Sequence, residues 1–392
     1  MIDFNNTKIA FQSKSNKELK KAYFLFSTIK HPWLVKLGKL LVTIALKIRF
    51  PVKWIVKPTI YAHFCGGETI AECEPVVRKL ANYNVKSILD YSVEGKETPE
   101  DIKAALEETI QAIKNASNDP DIPYAVFKPT AFCKSIVLEK ASAGQEMDAE
   151  EKKELAMFRE RIDTLAKTAY DGDIPIMIDA EDYCYQAIID KVVTENMEKY
   201  NKKKPIVYNT LQMYRWDRLD FLKEELNKAQ EKGYFIGVKY VRGAYLEKER
   251  YRAQKGGYPS PIHPDKESTD RDYNLALKFS VENIEKIAIF NGTHNEESSR
   301  YLTELMEEHG IKRNDERIYF SQLYGMSDHI SFNLAEEGYN VAKYVPYGPV
   351  KNVLPYLIRR AEENTSVAGQ TSRELKLLQK EINRRKKHNN AN

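Results

Sequence analysis

YFIGVKYVRGAYLEKER, residues 234–250, carries the pattern on which the fold turns. A β-rich run, YFIGVKYV (234–241), gives way at once to a cation, Arg242, and then to Gly243. Seven further β-rich runs stand along the chain: SILDYS (87–92), YAVFK (124–128), PIMID (175–179), PIVYN (205–209), KIAIF (286–290), RIYF (317–320) and NVAKYV (340–345). Longer stretches with helical periodicity separate them, among them residues 150–168, LQMYRWDRLDFLKEELNKAQ (211–230) and EESSRYLTELMEEHG (296–310). Repeated βα units imply a parallel sheet with crossover helices. Eight of them in this length predict a closed (β/α)₈ barrel, with an open doubly wound sheet as the structural alternative.

The runs end alike. Lys128 and Asp179 close two of them, Gln212 follows a third, and Arg242 a fourth. Thr293 and His294, then Gln322, then Tyr344 mark three more. In a barrel those ends open on one face, where barrel enzymes place their chemistry.

Composition narrows the class. Of 392 residues 42% are apolar and 11% aromatic, ample for a packed core. The four cysteines (Cys65, Cys73, Cys133, Cys184) form no C-x-x-C pair, so neither a zinc site nor a disulfide framework is expected. Reduced thiols fit a cytoplasmic protein. The seven histidines lack metal-ligand spacing, so a metal-free site is expected. Dinucleotide-type G-x-G-x-x-G, P-loop, G-x-S-x-G and H-E-x-x-H motifs are all missing.

Net charge is +4, but residues 1–60 hold 12 Lys/Arg against 2 Asp/Glu, and the segment from Thr371 is basic again. Basic ends on an acidic body suggest an anionic neighbour, membrane or nucleic acid. The start of the chain has no secretory pattern, and no stretch approaches the roughly 20 apolar residues of a spanning helix. Within WLVKLGKLLVTIALKIRF, Leu34, Leu37, Leu41, Ile44 and Ile48 share one helical face while Lys36, Lys39 and Lys47 share the other. Such a helix either lies in a membrane interface or packs on the domain. The expected organisation is a basic helical segment (1–60), a catalytic barrel (61–370) and a basic tail (371–392).

Lys128, Lys239, Arg242, Arg359 and Arg360 are many cations for one barrel face unless anions bind there. Arginine forks grip carboxylates in bidentate fashion, and lysine adds a point charge. The amides of Gln212, Asn295 and Gln322 suit the polar edge of a heterocycle such as a flavin. Arg359 and Arg360 behind Tyr344 and Tyr356 read either as a solvated helix face or as a clamp for a small carboxylate.

VRGAYLEKER (241–250), THNEES (293–298), QLYGMSD (322–328) and YLIRRAEEN (356–364) resemble, in order, the signature segments of the proline dehydrogenase family. The resemblance runs from LDYSVEG (89–95) to ENTS (363–366) and leaves the first 60 residues outside it. It implies a distorted (β/α)₈ barrel with the last helix over the mouth, binding FAD and oxidising L-proline to Δ1-pyrroline-5-carboxylate. Electrons would pass to a membrane quinone, with peripheral contact at the inner face of the membrane and no nucleic-acid partner.

The resemblance also assigns roles. Lys128, Arg359 and Arg360 would hold the substrate carboxylate, and Tyr344 and Tyr356 would shape its pocket. Gln212, Val241, Arg242, Gly243, Tyr245, Thr293, His294, Asn295, Gln322 and Leu323 would line the flavin. Asp179 would orient groups beside it, and Lys239 would stabilise its reduced form. Asp90, Glu94 and Glu363 would brace the arginines. A hydroxyproline-preferring dehydrogenase, a flavin-free Schiff-base lyase on Lys128 and a membrane or nucleic-acid adaptor are the competing readings. The bulk of Tyr344 argues against the first of these.

Overall fold

The computed structural model describes residues 2–48, 52–93, 97–366 and 370–391. Helices α1 (Thr7–Ala10), α2 (Asn16–Ile29), α3 (Pro32–Lys47) and α4 (Lys53–Val56) come first, then α5 (Ile70–Ala81) leads into β1 (Val85–Tyr91). Strands and helices then alternate: α6 (Pro99–Ser117), β2 (Ala125–Phe127), α7 (Ser135–Ser142), α8 (Ala149–Asp171), β3 (Ile176–Ile178), α9 (Tyr183–Tyr200), β4 (Val207–Gln212) and α10 (Arg218–Lys232). The alternation continues through β5 (Ile236–Val241), α11 (Leu246–Gly256), α12 (Lys266–Glu282), β6 (Ile287–Gly292), α13 (Glu296–Glu308), β7 (Ile318–Leu323), α14 (Asp328–Glu336) and β8 (Val341–Tyr347). Helices α15 (Val350–Ser366) and α16 (Gln370–Ala391) end the chain.

Each of the eight β-rich runs is a strand, and the strand order β1-β8-β7-β6-β5-β4-β3-β2 is that of a (β/α)₈ barrel. Two compact units divide the chain: residues 95–321 form one, and residues 1–94 with 322–392 form the other.

In the first unit β2 to β6 and the start of β7 run parallel in register, with Tyr208 opposite Gly237 and Lys239 opposite Phe290. Short strands such as Ile176–Ile178 are wholly buried, as expected where helices cover a parallel sheet. Tyr124 gathers the rings of Tyr208, Phe290 and Tyr319 edge-on, with centroids 5.1 to 5.4 Å away. Gly237 is required beside that cluster, because a Cβ there would lie 2.5 Å from the Tyr208 ring. Capping follows the sequence closely. Asp148 and Glu151 form a reciprocal capping box on α8, and Thr98 followed by Pro99 starts α6. One boundary differs from expectation: Leu211 and Gln212 belong to β4 rather than to the following helix, because they pair with Tyr240 and Val241 of β5.

In the second unit β1 lies parallel to β8. The N-terminal segment is helical, as expected, and shares a core with the C-terminal helices: Phe11, Leu19 and Phe26 pack with Val353, Leu357, Leu377 and Leu378. Arg385 donates to the carbonyls of Lys14 (2.8 Å) and Phe11 (2.9 Å), so the basic end of the chain is helix α16 seated on the N-terminal helices. Asp328 is buried between two ammonium groups, Lys343 at 2.8 Å and Lys14 at 2.9 Å. Helix α3 packs through Val35, Val42 and Ala45. The stripe Leu37, Leu41, Ile44 and Ile48 faces solvent instead. No helix among the described residues is long and apolar enough to cross a membrane.

Candidate active site

Three adjacent strand ends in the first unit are stitched together by one residue that sequence reasoning missed, Glu181. Its Oε1 accepts from the Thr130 N–H (2.7 Å) and its Oε2 from the Thr130 hydroxyl (2.6 Å), just past Lys128 at the end of β2. Its carbonyl accepts from Gln212 Nε2 (2.7 Å) at the end of β4, and its own N–H donates to Gln186. Burial pushes the Glu181 carboxyl up to about 7, against the opposing pull of the Thr130 donors and Lys128. The only hint in the sequence was an acidic residue two positions after the strand-end Asp179.

Asp179 follows β3, and its N–H donates to Phe127 (2.9 Å). Its carboxylate meets Lys239 Nζ at 2.5 Å, with both side chains largely out of solvent. The pair spans from β3 across to β5, so these two predicted residues are brought together. Gln212 is buried on the strand between them.

Past the end of β5, Arg242 is committed on every side. Its Nε donates to Asp270 (2.7 Å), Nη1 to Thr293 (2.5 Å) and Nη2 to Ser298 (2.9 Å). The guanidinium also lies 4.3 Å from the Tyr273 ring centroid. Although burial opposes ionisation of Asp270, Lys266 and Arg242 hold its carboxyl below the usual range. Arg242 therefore anchors the β5 and β6 ends to each other. Thr293 accepts from the Asn295 N–H (3.1 Å), and Asn295 Oδ1 caps α13 through the Ser298 N–H (3.0 Å), leaving the Asn295 amide donors for another acceptor. His294 lies between them, half-buried.

Val241 and Arg242 accept from the Met213 and Tyr214 N–H groups (2.8 and 2.7 Å), which turns the chain tightly at Gly243. Gly243 has φ +128°, and a Cβ there would meet the Tyr214 ring at 2.6 Å. Tyr245 precedes α11, its ring 5.6 Å from Lys248 Nζ. As a donor set, the Gln212 amide, the Lys239 ammonium and the Asn295 amide at neighbouring strand ends suit a flavin's polar edge and the negative charge of its reduced ring.

The remaining predicted residues lie in the second unit. Tyr344 is buried on β8, and its carbonyl accepts from the Tyr324 N–H (2.8 Å). On α15 the Arg360 guanidinium lies 5.3 Å from the Tyr356 ring centroid, and Arg359 and Arg360 are half-buried. Asp90 is buried at the end of β1 and accepts from the Ser92 hydroxyl (2.7 Å). Gln322 accepts from Ser331 of α14 (2.6 Å), and Leu323 packs into the apolar core. Glu94 and the side chain of Glu363 lie outside the described residues. The corner after β8 is held by the Tyr61 hydroxyl, which donates to the carbonyls of Gly67 (2.5 Å) and Gly348 (2.8 Å).

The family model for proline dehydrogenase matches residues 73–373. The chain is 33% identical over 379 residues to "Proline dehydrogenase 1, mitochondrial" of Dictyostelium discoideum, covering 86% of this chain and 66% of that protein. It is 35% identical over 322 residues to "Carbapenem antibiotics biosynthesis protein CarD" of Pectobacterium carotovorum subsp. carotovorum, covering 82% and 83%. Proline utilization A (PutA) from Bdellovibrio bacteriovorus, inactivated by N-propargylglycine, superposes with a TM-score of 0.72 at 21% identity. That match covers 92% of this chain and 38% of the other, and supports the fold.

Proposed function

Because this chain belongs to the proline dehydrogenase family, we propose that it oxidises L-proline to Δ1-pyrroline-5-carboxylate with FAD and passes the electrons to a quinone. The observation that carries this reading is the arginine pair of α15. Arg359 and Arg360 are half-buried, and Arg360 is held against Tyr356. Two adjacent guanidinium forks on one helix, beside a buried tyrosine, suit bidentate binding of the carboxylate of an amino acid.

In this account Arg359 and Arg360 take the proline carboxylate, with Lys128 adding positive charge. Tyr344 limits the space beside the ring, which favours proline over its hydroxylated form. FAD, when bound, supplies the two-electron acceptor for the hydride leaving the carbon beside the proline nitrogen. Gln212, Lys239, Val241, Arg242, Gly243, Tyr245, Thr293, His294 and Asn295 would hold it. Lys239 presents its ammonium where negative charge develops, and Asp179 fixes the direction of that ammonium. A quinone as acceptor brings the protein to a membrane surface.

The test is direct. The purified protein is expected to be yellow and to bleach with proline under anaerobic conditions. Arg359→Ala and Arg360→Ala should keep the colour yet lose at least about 2 kcal/mol in kcat/KM for proline. A colourless protein, or two variants with wild-type kcat/KM, would overturn the reading.

A further inference from the structure

Helix α3 has two apolar faces, and the fold uses one. Val35, Val42 and Ala45 pack inward. Trp33, Leu37, Leu40, Leu41, Ile44 and Ile48 recur at helical spacing on the opposite side, and Leu41 and Ile48 are 56% and 68% exposed. The elements before and after α3 in the chain continue the theme, with Phe24, Trp54 and Ile55 exposed. Large side chains so grouped mark a docking surface rather than scattered surface residues.

We propose that this stripe docks α3 flat on a membrane surface carrying anionic lipid. Charge selects that occupant. Lys36 and Lys47 border the stripe, α3 carries no acidic residue, and residues 1–60 hold 12 Lys/Arg against 2 Asp/Glu. A second copy of the chain would bring those lysines against their equivalents, whereas anionic headgroups neutralise them. At 16 residues α3 is too short to cross a bilayer, and its polar flank would stay in water, which is the geometry of an interfacial helix. Helix α3 lies before residues 73–373, the segment that the family model matches. The inference rests on the surface alone and does not require the proposed chemistry.

The experiment is flotation of the full chain with neutral phosphatidylcholine vesicles and with vesicles of equal parts phosphatidylcholine and phosphatidylglycerol. Wild type should rise with the anionic vesicles and not with the neutral ones. The variant Leu37→Ser/Leu41→Ser/Ile44→Ser should lose at least about tenfold in vesicle affinity, with melting temperature and proline oxidation by a soluble dye unchanged. Lys36→Glu/Lys47→Glu should lose the anionic preference while keeping every apolar contact of the fold. Wild type remaining unbound, or either variant floating like wild type, overturns the proposal. So does a wild-type dimer in light scattering that the serine variant dissociates, since the stripe would then join two copies. Loss of dye-linked proline oxidation in wild type would instead count against the proposed chemistry and leave the vesicle result standing.

Discussion

Lys343 Nζ lies 2.8 Å from Asp328 Oδ1 in the interior of the second unit, and Lys14 reaches the other carboxylate oxygen. The three charges tie strand β8, helix α14 and the segment after α1 into one buried cluster. Burial alone would raise the Asp328 carboxyl, but Lys14 and Lys343 overcome it and hold it well below the usual carboxylate range. Asp328→Asn strands both ammonium groups and should cost about 3–5 kcal/mol in chemical denaturation. A group with a depressed folded pKa contributes stability above its unfolded value of about 3.9 and loses it as pH falls further. Acid should therefore destabilise wild type below about pH 4 more than it does the asparagine variant.

Glu181 predicts the opposite slope. Its folded value of about 7 lies above an ordinary 4.5, so the folded state binds the extra proton in that window. Stability is then fully present below 4.5 and lost as pH rises through 7, by about 3 kcal/mol at most. Glu181→Gln removes this term. Urea midpoints at pH 5 and pH 8 should differ less in the variant than in wild type, and equal differences would refute the assignment.

The Lys239–Asp179 pair separates stability from chemistry. Lys239→Met should destabilise by about 2 kcal/mol, because the half-buried Asp179 carboxylate loses its ammonium neighbour. It should also slow proline-driven flavin reduction by about a hundredfold. The double variant Lys239→Met/Asp179→Asn should regain most of the stability and none of the rate. Stopped-flow reduction beside a melting curve reads both. Recovery of rate in the double variant would reduce the lysine to a structural role.

Gly243→Ala confronts a positive φ and the Tyr214 ring together. A cost of about 1–3 kcal/mol is expected, with a lower flavin-to-protein ratio on purification. Tyr214→Leu in the same chain should restore part of both by opening space for the Cβ. An unaltered flavin ratio in the single variant would show that this turn does not serve the cofactor.

How much of this was legible beforehand differed by region. All eight strands were readable because each run is apolar, β-rich and bounded by polar residues, and parallel burial on two faces leaves that mark. The roles of strand ends were readable as residue types, yet the partners were not. Nothing in the sequence says that Arg242 is spent on Asp270, Thr293 and Ser298, or that Asn295 caps a helix while keeping its amide donors. Glu181 was missed because its partners, Thr130, Gln186 and Gln212, lie on three different elements of the fold. For α3 the periodicity was plain but ambiguous. The leucine and isoleucine stripe could equally have packed inward, and the side that does so carries Val35, Val42 and Ala45 instead.

The second unit is assembled from the two ends of the chain, and this bears on the order in which the protein can be made. Arg385 bonds to the carbonyl of a residue 371 positions earlier, and Leu19 and Phe26 share a core with Leu377 and Leu378. At roughly 10 residues per second on the ribosome, the N-terminal helices wait on the order of half a minute for those partners. Until then their apolar faces have no native cover, and the contacts that close the unit are among the least local a chain can make, which slows folding. Residues 95–321, contiguous in sequence, meet no such delay. Translation therefore delivers the middle of the molecule ready to fold while its beginning still waits for its end.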